Sequence, residues 1–161
     1  MNARFAATLI GLTLMAGAAA AQDAQPFSTF RQDATQPLEI ASDRLGVSQQ
    51  AATAEFIGNV EVMQGTLTLR ADRMTVRYDQ ESGDVRTLEA RGNVLLSSGT
   101  EAAEAQSADY DVESGILVMQ GDVLVTQGQS ALSAQNLRID LNAGTGDFSG
   151  RVRTVFVPQS E

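Results

Sequence analysis

The sequence predicts an all-β domain assembled from stacked antiparallel strand repeats. Polar and apolar residues alternate without interruption in Arg73–Asp79, Ser107–Glu113 and Asn136–Asn142. That is the period of a strand with one buried and one wet face. These segments also belong to three copies of one unit, in register on Gly58, Gly92 and Gly121. Sustained helical periodicity is missing. The one helix-compatible stretch, Glu101–Gln106, is too short to change the class.

The elements follow in chain order. A half copy comes first, with Asp43-Arg44-Leu45-Gly46-Val47 echoing Asp72-Arg73-Met74-Thr75-Val76. In the full copies, Val60, Val94 and Val123 stand two residues after the aligning glycine, and Val62, Leu96 and Val125 stand four after it. Gly65, Gly99 and Gly128 come next, then Ala71, Ala105 and Ala134. The triplets Met74/Ala108/Leu137, Val76/Tyr110/Ile139 and Tyr78/Val112/Leu141 complete the register. A truncated copy opens at Gly150-Arg151-Val152. Each unit reads as strand, glycine turn, strand, short break, strand, glycine turn, strand. Gly83, Gly115 and Gly144 mark the second turn. Such units cannot bury an apolar face alone, so they stack into one core.

Alternation assigns an inward set: Leu45, Val47, Phe56, Val60, Val62, Leu67, Leu69, Met74, Val76, Tyr78, Leu88, Val94, Leu96, Tyr110, Val112, Leu117, Met119, Val123, Val125, Leu132, Leu137, Ile139, Leu141 and Phe148. Most are aliphatic. They describe a long aliphatic slot between two sheets or within a rolled one. A dry, filled core satisfies this pattern. So does a slot that opens to take acyl chains.

The flanks differ in composition. Arg4, an apolar run from Phe5 to about Ala18 and the small-residue pattern Ala19-Ala20-Ala21 have the layout of a cleavable secretory signal peptide. The apolar run is too short to span about 30 Å of hydrocarbon. The expected organisation is a signal peptide over 1–21, a flexible lead-in over 22–36, the β domain over 37–157 and a tail over 158–161. Phe27 and Phe30 are the lead-in residues able to dock on the domain. A cleaved chain of this kind is expected in the periplasm.

Composition narrows the chemistry. The 161 residues include 11 basic and 20 acidic side chains, every basic one an arginine, and no His, Cys, Lys or Trp. Hydrolases that use a histidine base are excluded, as are metal sites ligated by His or Cys. The net charge of −9 argues against a nucleic-acid partner, which demands cations for its phosphates. Asp109, Asp111 and Glu113 share an outer face, where a solvated role outweighs a cation site. Asp43 and Asp72 recur at equivalent places and suggest a turn or capping role. Arg70, Arg73 and Arg77 suit phosphate, but surface acids are the nearer partners. An unclosed stack leaves unpaired edges near Leu38–Val47 and Arg151–Val157, able to accept a strand from another chain.

The segments Gly58-Asn59-Val60-Glu61-Val62, Ala71-Asp72-Arg73-Met74, Gly92-Asn93-Val94 and Gly121-Asp122-Val123-Leu124-Val125, set behind a leader, resemble the OstA-like family of lipopolysaccharide transport proteins. The resemblance covers about residues 37–157. It implies a twisted β-jellyroll open at both ends, with no enzymatic activity and no cofactor. The slot would shield the acyl chains of lipopolysaccharide (lipid A) on the way from inner to outer membrane. Residues implied to touch lipid are Val60, Val62, Leu67, Leu69, Met74, Val76, Tyr78, Val94, Leu96, Tyr110, Val112, Met119, Val123, Val125, Leu137, Ile139, Leu141 and Phe148. Copies would associate head to tail. Leu38, Ile40, Leu45 and Val47 would form the edge facing an inner-membrane-anchored jellyroll (LptC-like), and Val152, Val155 and Phe156 the edge facing an outer-membrane translocon (LptD-like). The lack of lysine and the acidic balance depart from a strong phosphate clamp. They leave the head group in solvent or against metal ions. Two other readings remain: a structural β-repeat or surface module with a closed core and no lipid, and a β-sandwich enzyme. The second needs a polar cluster in a cleft, which the sequence does not offer.

Overall fold

The computed structural model describes residue 30 and residues 36–155. The expected leader, most of the lead-in, Phe27, Phe156 and the tail lie outside the described residues. The strands are β1 (Glu39–Ala41), β2 (Arg44–Ser48), β3 (Thr53–Gln64), β4 (Leu67–Tyr78), β5 (Val85–Ser98), β6 (Glu101–Asp111), β7 (Ile116–Gln127), β8 (Ser130–Asp140), β9 (Thr145–Ser149) and β10 (Arg153–Val155). All pair antiparallel in one open sheet. From β3 to β8 each strand pairs with the next, while β1 and β2 both pair with β3, and β9 and β10 both pair with β8. Among the described residues no helix is long and apolar enough to cross a membrane.

The long strands share one irregularity. Register shifts between Ile57 and Val60, Arg70 and Arg73, Arg91 and Val94, Glu104 and Ser107, and Gln120 and Val123. Cross-strand pairing puts these shifts on one line across the sheet. The line divides the sheet into a first half, edged by β2 and β9, and a second half, edged by β1 and β10. Buried residues of both halves form a single cluster, with Met74, Leu117 and Ile139 from the first and Val62, Leu96 and Val125 from the second. The sheet is therefore rolled along that line into an open jellyroll.

Gly58, Gly92 and Gly121, the positions that align the copies, are bulges inside β3, β5 and β7, with φ of 81°, 77° and 84°. The next residue in each case is also left-handed, Asn59 at 46°, Asn93 at 47° and Asp122 at 48°. Asn and Asp tolerate this region better than other side chains. This geometry corrects two expectations: first, the short break expected between strands is absent, because β4, β6 and β8 run straight past the line. Second, Glu101–Gln106 is the start of β6, with Glu101, Ala103 and Ala105 buried in strict alternation. Alanine's helix preference yields here to a period-two face that must be buried.

The recurring acids find their role at the line. Asn59 Nδ2 donates to Asp43 Oδ2 at 2.8 Å, and Asn93 Nδ2 to Asp72 Oδ2 at 2.8 Å. In the third copy the roles exchange, and Gln106 Nε2 donates to Asp122 Oδ2 at 2.9 Å. These side chains lie over the bulge glycines. A Cβ on Gly92 would fall on Asp72 Oδ2, whereas one on Gly99, in a hairpin turn at φ +57°, meets nothing within 4 Å. Gly99→Ala is thus expected to cost about 1–2 kcal/mol, from left-handed strain alone. Gly92→Ala adds a clash and the loss of a clip, and about 3 kcal/mol is expected. Urea unfolding of the two variants checks the order.

The other turns repeat an Asp-x-x-x-Gly pattern. Gly83, Gly115 and Gly144 N–H groups donate to the carbonyls of Asp79, Asp111 and Asp140 at 2.9, 3.0 and 2.8 Å. The Asp side chains accept from the N–H groups inside each turn. At Asp79 the Ser82 N–H, the Arg86 guanidinium and the Glu81 N–H together hold the carboxyl at about 2 rather than 3.8. Its contribution to stability is complete above about pH 4 and fades as pH falls toward about 2. Asp79→Asn is therefore expected to be less stable than the parent at pH 7. The two should converge near pH 2, as acid titration by circular dichroism would show.

Candidate lipid slot and edges

The interior is built by pairing inward residues across strands in rows. Phe56, Met74, Ala90, Ala108, Met119, Leu137 and Phe148 form one row of the first half. Val62, Leu69, Leu96, Ala103, Val125 and Leu132 form one of the second. Of the expected lipid-contacting residues, Val60, Val62, Met74, Val76, Val94, Leu96, Met119, Val123, Val125, Leu137, Ile139 and Leu141 are buried. Leu67, Leu69, Tyr78, Tyr110, Val112 and Phe148 are half-buried against the same cluster. These are the rows that the period-two pattern predicts.

Two kinds of interior residue were not in the expected set. Ala54, Ala71, Ala90, Ala103, Ala105, Ala108 and Ala134 are all buried. They keep the facing halves close, and the recurrence of Ala71, Ala105 and Ala134 in register was their visible signal. Phe30 is the other. It is fully buried in the cluster, although it precedes the first strand.

Between the halves, a cleft lined by Leu38, Val62, Gln64, Leu67, Leu69, Leu88, Leu96, Tyr110, Leu117 and Leu141 holds a cavity of about 60 Å³. Small-molecule pockets typically run from about 300 to 1,000 Å³. This cleft is far smaller than that.

The lips of the roll differ. On the second half, the inward residues beside the hairpin turns are Gln64, Ser98, Glu101, Gln127 and Ser130 among aliphatic neighbours. Ser98 and Glu101 are buried, and Gln127 Nε2 donates to Glu101 Oε1. On the first half the lip is apolar, formed by Tyr78, Val112 and Leu141. One lip can thus meet polar groups while the other meets hydrocarbon.

Arginines on the outer face are engaged with acids. Arg70 pairs with Glu61 at 2.5 Å, Arg73 with Glu55 at 3.2 Å, Arg77 with Glu89 at 3.2 Å and Arg91 with Asp109 at 2.6 Å. Such exposed pairs contribute about 0–1 kcal/mol each, and they neutralise cations on the outer face of the sheet. Asp109, Asp111 and Glu113 do not converge: Asp109 meets Arg91, and Asp111 caps the turn through Ser114. Among the described residues no group of three acids is placed to hold a metal ion.

The edges carry exposed apolar residues. Leu45 and Val47 on β2 are 54% and 67% exposed, although they pair with the buried Phe56 and Ala54 and so face the slot side. Leu38, just before β1, is exposed, and Ile40 lies half-buried opposite Val62. At the other end Val152 and Val155 are exposed. Neither end is capped by a further strand among the described residues.

Comparison with known proteins matches this architecture. The family described as LptA/(LptD N-terminal domain) LPS transport protein matches residues 39–145, more than half of the chain. An uncharacterised protein of Rhizobium meliloti (strain 1021) is 33% identical over 128 residues, 74% of this chain and 69% of that protein. The lipopolysaccharide export system protein LptA of Haemophilus influenzae is 26% identical over 97 residues, 56% of each chain. The crystal structure of LptH, the LptA-homologous periplasmic component of the lipopolysaccharide transport device of Pseudomonas aeruginosa, superposes with a TM-score of 0.71 at 16% identity. That superposition covers 79% of this chain and 99% of LptH, and it shows the same fold. By these matches the chain belongs to the LptA/(LptD N-terminal domain) LPS transport protein family.

Proposed function

We propose that this protein is a periplasmic bridge that carries lipopolysaccharide between the inner and outer membranes. The acyl chains of lipid A would enter the slot between the two sheet halves, and the sugar head group would stay at the lips. The observation that carries the reading is an interior lined by facing rows of aliphatic side chains in a sheet that does not close. Each exposed methylene of a lipid costs about 0.8 kcal/mol in water, so a shielded route has a clear physical purpose. No chemistry is required of the component itself. Net flow must draw on an energy source elsewhere. The leader over 1–21 would direct export, and cleavage after Ala21 would release the chain into the periplasm.

The uncapped edges support the assembly part of the reading. β1 and β2, with Leu38, Ile40, Leu45 and Val47, would meet the inner-membrane-anchored jellyroll. β10, with Val152, Val155 and Phe156, would meet the jellyroll of the outer-membrane translocon. Copies of the chain would stack head to tail through the same edges, keeping the slots in line.

The small size of the cleft between the halves favours one competing reading, a structural repeat with a permanently closed core. Photo-crosslinking separates the two. Probes at Val76 and Ile139, both buried, are expected to form adducts with lipopolysaccharide, and probes at their outward neighbours Arg77 and Asp140 are not. Adducts at neither pair, in protein with a normal β-sheet spectrum, would favour the structural repeat.

A further inference from the structure

The two ends of the sheet match row by row. Cross-strand pairing runs from β2 through β3–β8 to β9, and following it assigns each residue of β2 to one residue of β9. Leu45 shares its row with Phe148 on the inward face, while Gly46 shares a row with Asp147 and Ser48 with Thr145 on the outward face. The second half repeats the match, since β1 and β10 occupy the same three rows. β2 and β9 are both 5 residues long, and β1 and β10 are both 3. Direction alternates at every pairing, so β9 runs opposite to β2, and β10 opposite to β1. Among the described residues, none of these four edge strands pairs on its second side.

We propose that β9 of one copy of this chain joins β2 of the next, antiparallel and without offset, with Gly46 opposite Asp147 and Ser48 opposite Thr145, while β10 meets β1 on the second half. The inference rests on the head-to-tail reading above, and it adds β9 to the C-terminal edge. Because directions alternate, a second copy in the same orientation continues both ladders at once. Zero offset has a physical reason. A shift of one residue would turn Leu45 away from Phe148 and send the apolar set to the wrong face. A shift of two would keep the faces but shorten a ladder of 5 residues to 3, leaving backbone groups unpaired. Without offset, the inward rows of one copy run on into the next, and Leu45, 54% exposed in the single chain, gains Phe148 as its neighbour. The charges agree. On the outer face Arg44 stands two rows from Asp147 across the junction, and Glu39 two rows from Arg153. Diagonal neighbours of this kind are within reach of long side chains. Both pairs are of opposite sign, which favours a second copy over an unrelated strand.

The chain contains no cysteine, so introduced thiols report the register alone. Four single variants, Gly46→Cys, Ser48→Cys, Thr145→Cys and Asp147→Cys, each place one thiol at an exposed outward position. A Cβ at Gly46 meets only the Glu55 carbonyl, at 4.0 Å, so the change fits the fold. The full chain would be expressed with its own leader. Purified variants would be mixed in pairs, one of them isotope-labelled, and oxidised. A disulfide needs Cα atoms within about 7 Å, and an offset of two residues adds about 7 Å along a strand. Gly46→Cys with Asp147→Cys, and Ser48→Cys with Thr145→Cys, are expected to give mixed dimers. Gly46→Cys with Thr145→Cys, and Ser48→Cys with Asp147→Cys, are expected to lose them. Each variant serves once in either kind of mixture, so a misfolded one cannot imitate the pattern. Sedimentation velocity of the unsubstituted protein reads association separately. Association with dimers formed equally well in the offset mixtures, or between like variants, would overturn the register. Association with no crosslink in any mixture would overturn the β2–β9 junction. An unsubstituted protein that stays monomeric across the concentration series would overturn the head-to-tail reading, and the junction with it.

Discussion

Replacing Leu45 and Val47 together by Asp is expected to leave the isolated protein folded and to weaken the proposed end-to-end association at least about tenfold. The first half of this expectation follows from exposure. The two side chains are 54% and 67% exposed on an edge strand, and substitutions at such sites usually stay within about 0.5 kcal/mol. The second half follows from direction. Leu45 pairs with Phe56 and Val47 with Ala54, so both face the slot side of β2 where the sheet stops. Contiguous apolar groups at an unpaired edge attract a partner, and charges there are a standard way to block one. A neighbouring jellyroll adding its strand to β2 would have to bury two carboxylates with no counter-charge. Sedimentation velocity over a concentration series reads the association, and urea unfolding of the dilute protein reads the fold. Unchanged association with an unchanged fold would discard β2 as the assembly edge and shift attention to β1. Loss of both would show that β2 is needed for folding itself.

Much of this architecture is legible in the residues, because a period of two leaves little freedom. Once one face is buried, a strand cannot slip by one position without turning its apolar set outward. That is why Met74, Val76, Leu137 and Ile139 lie where alternation puts them. The repeat register also exposes the equivalence of Gly58, Gly92 and Gly121. What it does not reveal is their conformation. A glycine at a turn and a glycine at an in-strand bulge leave similar traces in one sequence, and the distinction comes from Asp43 and Asp72 reaching across to the next strand's Asn59 and Asn93. Those partners are 16 and 21 residues away, beyond any local pattern. Glu101–Gln106 misleads for a different reason. Its apolar positions are alanines, whose alternation with polar residues is easily taken for helix preference. Phe30 is the least legible, since no periodicity surrounds it and its burial depends wholly on a slot formed by strands that follow.

Leu137→Ala is expected to be the most damaging of the conservative slot substitutions, costing about 2–5 kcal/mol. Leu137 is 0% exposed and pairs with Met119 on one side and Phe148 on the other. It lies one pair from the line of bulges along which the sheet rolls, where Gln120 pairs with Asn136. Packing there holds the two halves together, and interiors at native density cannot collapse around a missing side chain without cost. Leu69 and Leu67 lie toward the lip and are half-buried beside the small cavity. Leu69→Ala is expected to cost less, about 1–2 kcal/mol, because neighbouring space already exists. Its effect on lipid should be the larger of the two, since acyl chains entering the proposed slot must part its lips. Stability and lipid binding are therefore expected to separate along a single strand direction, with stability dominant near the bulges and binding dominant near the turns. Urea unfolding and lipopolysaccharide co-sedimentation on the two variants measure this directly. Equal losses of both properties at both positions would mean that the interior behaves as one closed core. The rolled sheet would then be a structural repeat and no route for lipid.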